Sequence, residues 1–284
     1  MSRLAKEKIM RAVFLSTACV SIVSVILICL FLFVNGVPAM AEIGFWNFLA
    51  GKTWRPSNRL YGIFPMIVGS VYVTAGALAL GVPVGLLTAI YLARFCPQWL
   101  YRLIKPSVSL LAGIPSVVYG FFGLVVLVPG IKALFGGKGY SMLAASLLLS
   151  MMILPTVISV AEAAIRAVPE SYYEGAVALG ATHEQGVFFV VVPAARSGIF
   201  TVVVLGAGRA IGETMAVIMV AGNQARMPTG ILSGLRTLTA NIVLEMGYAA
   251  DLHREALIAT AVVLFVLILL INFALQMLKR RANA

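Results

Sequence analysis

The sequence predicts an all-helical membrane protein that crosses the bilayer about six times. Its 284 residues are 61% hydrophobic and only 11% charged, and its mean hydropathy is +1.03. A soluble domain carries roughly 25% charged residues, so this chain has too few charges to cover itself with a water-facing surface. Crossing the hydrocarbon layer takes about 20 apolar residues. The runs that approach or exceed this length are residues 12–34, 62–92, 107–128, 141–161, 198–221 and 256–278.

Helices are favoured over a β-barrel because the runs are continuously apolar rather than alternating. Lipid also requires each span to satisfy its own backbone hydrogen bonds. The first run follows several basic residues and precedes Ala39-Met40-Ala41, which resembles a signal-peptide cleavage site. The run is longer than a usual signal core of about 7–15 residues, so we expect a first helix that stays in the protein.

The net charge of +11 is spread over the loops, which indicates membrane orientation rather than nucleic-acid binding. Because basic loops remain in the cytoplasm, we expect both termini to be cytoplasmic. This orientation places inside Arg94, Arg102, Lys105, Arg166, Arg196, Lys279, Arg280 and Arg281. It places outside Lys52, Arg55, Arg59, Lys132, Lys138, Arg226, Arg236 and Arg254. Three scattered cysteines, Cys19, Cys29 and Cys96, predict neither a disulfide framework nor a metal site, and no cofactor is expected.

Residues 168–193, between the fourth and fifth runs, predict two short helices separated by a tight glycine turn. Pro169 suits the first turn of a helix, and Glu170 lies where the helix dipole favours a negative charge. Gly180 suits the position just past a helix C-terminus. Thr182 and Gln185 have the spacing of a capping box that begins the second helix.

The first of these helices has an apolar side that is expected to meet another protein. That side is formed by Tyr172, Tyr173, Ala176 and Leu179. A helix at the cytoplasmic surface with such a side has little reason to leave it in water. An ordinary amphipathic helix at the inner membrane surface is the alternative interpretation.

The spacing in this loop resembles the EAA loop of ABC importer permeases. Glu174-Gly-Ala is followed after three residues by Gly180, and after nine more by Val190-x-Val-Pro193; Gly175 departs from the family's usual alanine. The resemblance implies a type I ABC importer (MetI-like) permease fold. It also implies a coupling helix that docks on a separate ATPase subunit through Glu170, Tyr172, Tyr173, Glu174 and Gly180.

The chain is expected not to be an enzyme. A phosphate-binding P-loop requires Gly-x-x-x-x-Gly-Lys-[Ser/Thr], and the nearest match, Gly137-Lys138, lacks the first glycine and the hydroxyl residue. ATP hydrolysis is therefore assigned to a partner. We expect an N-terminal helix and outer loop in residues 1–61 and the permease core in residues 62–284.

The fifth run contains Arg209 and Glu213, four residues apart and so predicted to share one helix face. Burying an arginine at mid-membrane costs about 2.5–3.5 kcal/mol, so Arg209 should face protein or water. Its guanidinium fork suits a tetrahedral oxyanion, and Glu213 could hold it when no anion is present. A static ion pair that locks helices together explains the two charges equally well. Two Gly-x-x-x-Gly patterns, Gly81 with Gly85 and Gly208 with Gly212, predict close helix packing.

The fifth run also resembles the PstC family of phosphate-transport permeases. The matching stretch is Arg209-Ala-Ile-Gly-Glu-Thr-Met-Ala-Val-Ile-Met-Val-Ala-Gly-Asn223, and residues 111–121, 237–248 and 253–257 resemble the same family. Met215-Ala216 stands where the partner family, PstA, has Ala-Pro. The resemblance implies a permease subunit of an ATP-driven phosphate importer in a bacterial or archaeal inner membrane. Its implied partners are a PstA-like permease, two PstB-like ATPases, a PstS-like binding protein and phosphate, and it implicates Arg209 and Glu213 in translocation.

Several predictions remain more open. Gly113, Pro115 and Gly120 break the third run, where Ser116 and Tyr119 could offer hydroxyls to an anion or satisfy local backbone instead. Residues 237–246 predict a helix in the long outer loop, and the lone His183 and His253 are expected to be structural. The alternative functions are a permease for molybdate or sulfate, a proton-coupled secondary transporter that uses Glu213 as a relay, and a non-transporting sensor or assembly subunit.

Overall fold

The structure, a computed structural model, describes the backbone of residues 3–283 and the side chains of residues 7, 9–278 and 280. Most of the described chain is helical. The first part contains α1 (Arg3–Ile43), α2 (Phe45–Ala50), the hairpin strands β1 (Trp54–Arg55) and β2 (Leu60–Tyr61) around a 3₁₀ turn (Pro56–Asn58), α3 (Phe64–Ile90) and α4 (Gln98–Ala112). The side chains of Lys279 and Arg281, which the orientation prediction uses, lie outside the described ones.

The second part of the described chain contains ten further helices, and three π-helical stretches interrupt the two parts. The helices are α5 (Ser116–Phe122), α6 (Val128–Phe135), α7 (Met142–Arg166), α8 (Glu170–Ala178), α9 (His183–Gln185), α10 (Val192–Ala194), α11 (Arg196–Gly212), α12 (Met215–Val220), α13 (Leu238–Met246) and α14 (Asp251–Asn283). The π-helical stretches are Tyr91–Phe95, Gly123–Leu127 and Gly186–Val191. The predicted helix over residues 237–246 is confirmed as α13.

Within the described residues, five helical stretches are long and apolar enough to span a membrane. They are Ile9–Ile43, Phe64–Phe95, Ser116–Phe135, Met142–Arg166 and Asp251–Leu278. A sixth is present if His183–Ala194 and Arg196–Gly212, which meet at 66°, count as one bent span. The predicted all-α fold with about six spans is confirmed.

Two predicted runs are each divided between two helices, and the first division falls at Gly113 and Pro115, as predicted. The run 107–128 is not one helix: α4 ends at Ala112, and the span restarts at Ser116. Pro115 has no N–H to donate and disfavours helix at the residue before it. The run 198–221 breaks at Glu213, whose backbone is extended with φ −71° and ψ 133°.

The core is built on α3 and α7, which lie side by side and parallel. A Cβ on Gly81 would lie 2.8 Å from Ile153 Cδ1, and one on Gly85 would lie 2.4 Å from Val157 Cγ1. This Gly-x-x-x-Gly pattern therefore packs closely, as predicted. The other does not: among the described residues, nothing lies within 4 Å of a Cβ placed on Gly208 or Gly212.

Gly85→Val is expected to destabilise the protein, because the new methyl groups must displace Val157, whose β-branched side chain is stiff. Overpacking of this kind costs about 1–3 kcal/mol. The measurement is the thermal unfolding temperature of the purified protein in detergent. Gly130→Val is the matched control, since nothing lies within 4 Å of that position in the described structure. Equal unfolding temperatures for the two variants would contradict this account of α3–α7 packing.

The helical bundle has two ends with different polar residues. We call one the Trp54 end, where α3 and α7 begin and where the hairpin, α13 and the start of α14 lie. The other is the Arg94 end, where α3 and α7 finish; there the Arg166 guanidinium donates to the Leu92 carbonyl at 2.9 Å. Two of the basic residues that the sequence assigns to the inside, Lys105 and Arg166, both contact Glu162 at this end.

Candidate functional site

Arg209 lies in the last turn of α11, and its side chain is exposed within this chain. One guanidinium nitrogen donates to the Thr156 hydroxyl of α7 at 3.1 Å. The guanidinium carries five N–H donors, so most of its hydrogen-bonding capacity is unused within the described structure. Gly208 and Gly212 leave their side of α11 open. Thr156 was not predicted, because a hydroxyl beside Pro155 in an apolar run matches no motif.

The predicted pairing of Arg209 with Glu213 is wrong. Because α11 ends at Gly212, the two residues do not share a helix face. The Glu213 carboxylate instead accepts the backbone N–H groups of Thr214 at 3.1 Å and Ala216 at 3.3 Å. Unpaired N–H groups at the start of α12 attract this carboxylate, so Glu213 caps the second half of a broken helix and leaves Arg209 without a carboxylate partner in the described structure.

The two hydroxyl candidates in the third span differ in their surroundings. Tyr119 is buried, and its hydroxyl donates to the Leu111 carbonyl at 3.0 Å across the break between α4 and α5. That is the local-backbone alternative rather than an anion contact. Ser116 is the first residue of α5 and is partly exposed.

The loop of residues 168–193 forms the helix–turn–helix that the sequence predicts. Glu170 begins α8 after Pro169, and Gly180 has φ +90°, a left-handed conformation that favours glycine. The Thr182 hydroxyl accepts the Gln185 N–H at 3.3 Å, and the Gln185 side chain accepts the Thr182 N–H at 3.0 Å. The capping box is therefore confirmed.

Of the four apolar residues on the predicted side of α8, two are exposed and two pack against the chain itself. Tyr172 is 54% exposed and Leu179 is 92% exposed; Glu174 is also exposed. Tyr173 is partly buried, and its ring packs 3.1 Å from the Cβ position of Gly186. Ala176 packs against the same glycine. These two residues pack α8 against its own chain, and their contact with a partner stays a prediction.

Two acidic residues at the Arg94 end form ion pairs that connect the elements around this loop. Glu170 accepts a hydrogen bond from Arg94 at 2.7 Å. Glu162 is 2% exposed and accepts from Lys105 at 2.6 Å, from Arg166 at 2.9 Å and from the Tyr101 hydroxyl at 2.8 Å. These contacts fasten α4 to α7. Sequence reasoning missed Glu162, although its i,i+4 spacing from Arg166 was a visible signal.

A second buried carboxylate organises the Trp54 end. Glu245 is 6% exposed and accepts from Trp54 at 2.8 Å and from Arg236 at 2.5 Å, and its other contact is His253 at 2.9 Å. Burial raises the pKa of Glu245, but the hydrogen bonds from Trp54, Arg236 and His253 outweigh burial and hold that pKa below its usual value. The expectation that His253 is structural is confirmed by this contact.

Comparison with protein families gives one match over most of the chain. Residues 81–284 match the family described as binding-protein-dependent transport system inner membrane component. The probable ABC transporter permease protein YqgH of Bacillus subtilis is 39% identical over 274 residues, covering 93% of this chain and 89% of that protein. The phosphate transport system permease protein PstC of Mesorhizobium japonicum is 36% identical, covering 89% of this chain and 84% of that protein.

Solved structures support the fold independently. A subunit of the MetNI methionine ABC transporter has a TM-score of 0.58 at 23% identity, covering 78% of this chain and 94% of its own. A subunit of a bacterial ABC transporter that imports alginate has a TM-score of 0.62 at 15% identity, covering 99% of both chains. The predicted type I importer (MetI-like) fold is confirmed.

Proposed function

The chain belongs to the family of binding-protein-dependent transport system inner membrane components, and we propose that it is the PstC-like permease subunit of an ATP-driven phosphate importer. The relatives named PstC are similar over most of their length, including one from Haemophilus influenzae that is 34% identical over 78% of this chain. The chain is a transport component rather than an enzyme, and residues 62–284 are its permease core.

The observation that carries the phosphate assignment is that Arg209 has no carboxylate partner among the described residues. Its guanidinium stands on an exposed face of α11, with the Thr156 hydroxyl as its neighbour at 3.1 Å. Such a fork donates paired hydrogen bonds to an oxyanion. Because Glu213 is occupied with capping α12, the anion does not have to displace a carboxylate from Arg209.

The proposed orientation places the Arg94 end in the cytoplasm and the Trp54 end outside, with both termini cytoplasmic. The loop of residues 168–193 then lies inside, and its exposed Tyr172, Glu174 and Leu179 form the surface for a PstB-like ATPase. A PstA-like permease with a second ATPase supplies the other half of the pathway. A PstS-like protein delivers phosphate at the Trp54 end.

Transport then follows from movement of the docked ATPases. Their ATP-driven closure moves α8, and α8 reorients the membrane helices so that Arg209 faces first outside and then inside. The break between α11 and α12 at Glu213 gives the pathway helix a place to bend without unfolding a continuous span.

Leu179→Glu is expected to reduce co-purification of the ATPase by about tenfold or more, because it puts a charge on the most exposed apolar residue of the proposed docking surface. ATP-dependent phosphate uptake should fall with it. The measurement is the ATPase-to-permease ratio after affinity purification from membranes. Lys52→Glu, an exposed residue at the opposite end, is the matched control. If Leu179→Glu retains the ATPase as well as the control does, α8 is not the docking site.

The energy source separates this proposal from a proton-coupled carrier. Phosphate uptake in cells should survive collapse of the proton gradient as long as ATP is maintained. It should stop when the ATPase partner cannot hydrolyse ATP. The reverse pattern would overturn the importer assignment and favour a secondary transporter.

A further inference from the structure

We propose that His183 connects α8 to the end of the membrane helix α3 and thereby transmits movement of α8 to that helix. The proposal rests on the function proposed above and concerns how the coupling loop is linked to the pathway. Nothing in the sequence marked His183 for this role, since it occupies the first position of the short helix α9 beside its capping box.

Both ring nitrogens of His183 are used, and they reach two different elements. Nδ1 lies 2.8 Å from the Tyr173 hydroxyl of α8, and Nε2 lies 3.2 Å from the Arg94 carbonyl oxygen at the end of α3. A carbonyl oxygen can only accept, so Nε2 carries the proton and donates it. Nδ1 then accepts from the Tyr173 hydroxyl, and one neutral imidazole satisfies both contacts.

The ring is also held by packing on both sides. The Phe95 ring meets it edge to face at 4.7 Å between centroids, and the Tyr173 ring does so at 5.5 Å. Gly186 admits the Tyr173 ring, because a Cβ there would stand 3.1 Å from it. Two aromatic rings and two hydrogen bonds thus hold the imidazole between α8 and the end of α3.

The segment that His183 contacts at the end of α3 is π-helical. Arg94 and Phe95 lie in the π-helical stretch Tyr91–Phe95, which directly continues α3. Arg94 is joined to α8 a second time through Glu170 at 2.7 Å, but that carboxylate is 57% exposed, so water competes for the ion pair. The half-buried contacts of His183 are the more rigid connection.

The test uses the whole transporter, reconstituted with its ATPases, permease partner and binding protein in liposomes. Phosphate transported and ATP hydrolysed are measured together. His183→Ala is expected to keep ATP hydrolysis while the phosphate-to-ATP ratio falls about fivefold or more, on the scale of losing two hydrogen bonds. Tyr173→Phe, which removes one hydroxyl, should give a smaller fall. His183→Gln should recover part of the ratio, because its amide N–H can reach the Arg94 carbonyl.

Glu184→Gln is the matched control, since Glu184 is exposed and lies beside His183. An unchanged phosphate-to-ATP ratio in His183→Ala would overturn the proposal. So would transport and hydrolysis falling in equal proportion in both His183→Ala and Tyr173→Phe, because that is what a merely structural role predicts. Failure of the wild-type complex to transport phosphate is a different result and would overturn the proposed function instead.

Discussion

Arg209→Ala is expected to lower phosphate uptake by roughly tenfold to a hundredfold, the scale of losing one or two charge-assisted hydrogen bonds. The variant should still insert and assemble, since in the described structure the Arg209 side chain bonds only to the Thr156 hydroxyl within its own chain. Removing an uncompensated membrane arginine also relieves about 2.5–3.5 kcal/mol of insertion cost. The loss should therefore appear in transport rather than in protein level.

Two companion variants separate charge from geometry. Arg209→Lys keeps the charge but loses the paired donors of the guanidinium, so its uptake should lie between those of wild type and Arg209→Ala. Thr156→Val removes the neighbouring hydroxyl and keeps the shape of the side chain, and it should change uptake only about two- to threefold. The measurement is labelled-phosphate uptake normalised to the amount of assembled complex. Full uptake by Arg209→Ala would show that the arginine does not serve the pathway.

Glu245→Ala is expected to destabilise the Trp54 end by about 3–5 kcal/mol, the cost of removing one partner from a buried ion pair. Arg236, 16% exposed at its side chain, would lose its carboxylate, and the Trp54 N–H would lose its acceptor. The measurement is the thermal unfolding temperature of the purified protein in detergent. Glu255→Ala, an exposed acidic residue on α14, is the matched control and should leave that temperature nearly unchanged. A similar small change in both would contradict the role of Glu245.

The same carboxylate predicts a pH dependence. Because the pKa of Glu245 is lower in the folded protein than its usual value, its stabilising effect is complete above about pH 5. The effect is lost as the pH falls through the folded-state pKa. Unfolding temperatures of wild type and Glu245→Gln should therefore differ clearly at pH 7 and converge in acid. A difference that stays constant down to about pH 3 would contradict this assignment.

The membrane fold and the coupling loop could be predicted because their signals are local. Continuous apolar runs predict spans, and Pro169, Gly180 and the Thr182–Gln185 capping box predict a helix–turn–helix whose geometry the structure confirms. Gly81 and Gly85 likewise predicted close packing of α3 on another helix. In each case one short stretch of sequence contains the whole physical reason.

The contacts that depend on distant parts of the chain could not be predicted. Arg209 and Glu213 looked like a helical pair, but α11 ends between them, and only the folded chain shows Glu213 capping α12. The sequence placed Tyr173 on the side of α8 that faces a partner, whereas in the structure its ring packs against Gly186. His183 gains its significance only when the end of α3 brings the Arg94 carbonyl to it from 89 residues away.

The most direct test of the central claim is labelled-phosphate uptake at limiting concentration in cells that lack this subunit and carry the wild-type chain or Arg209→Ala. Sulfate and molybdate are present in excess. The account predicts that the wild-type chain restores uptake, that neither competitor suppresses it, and that Arg209→Ala restores at most about a tenth of it despite normal assembly. If the wild-type chain restores nothing, or either competitor abolishes uptake, phosphate is not the transported anion.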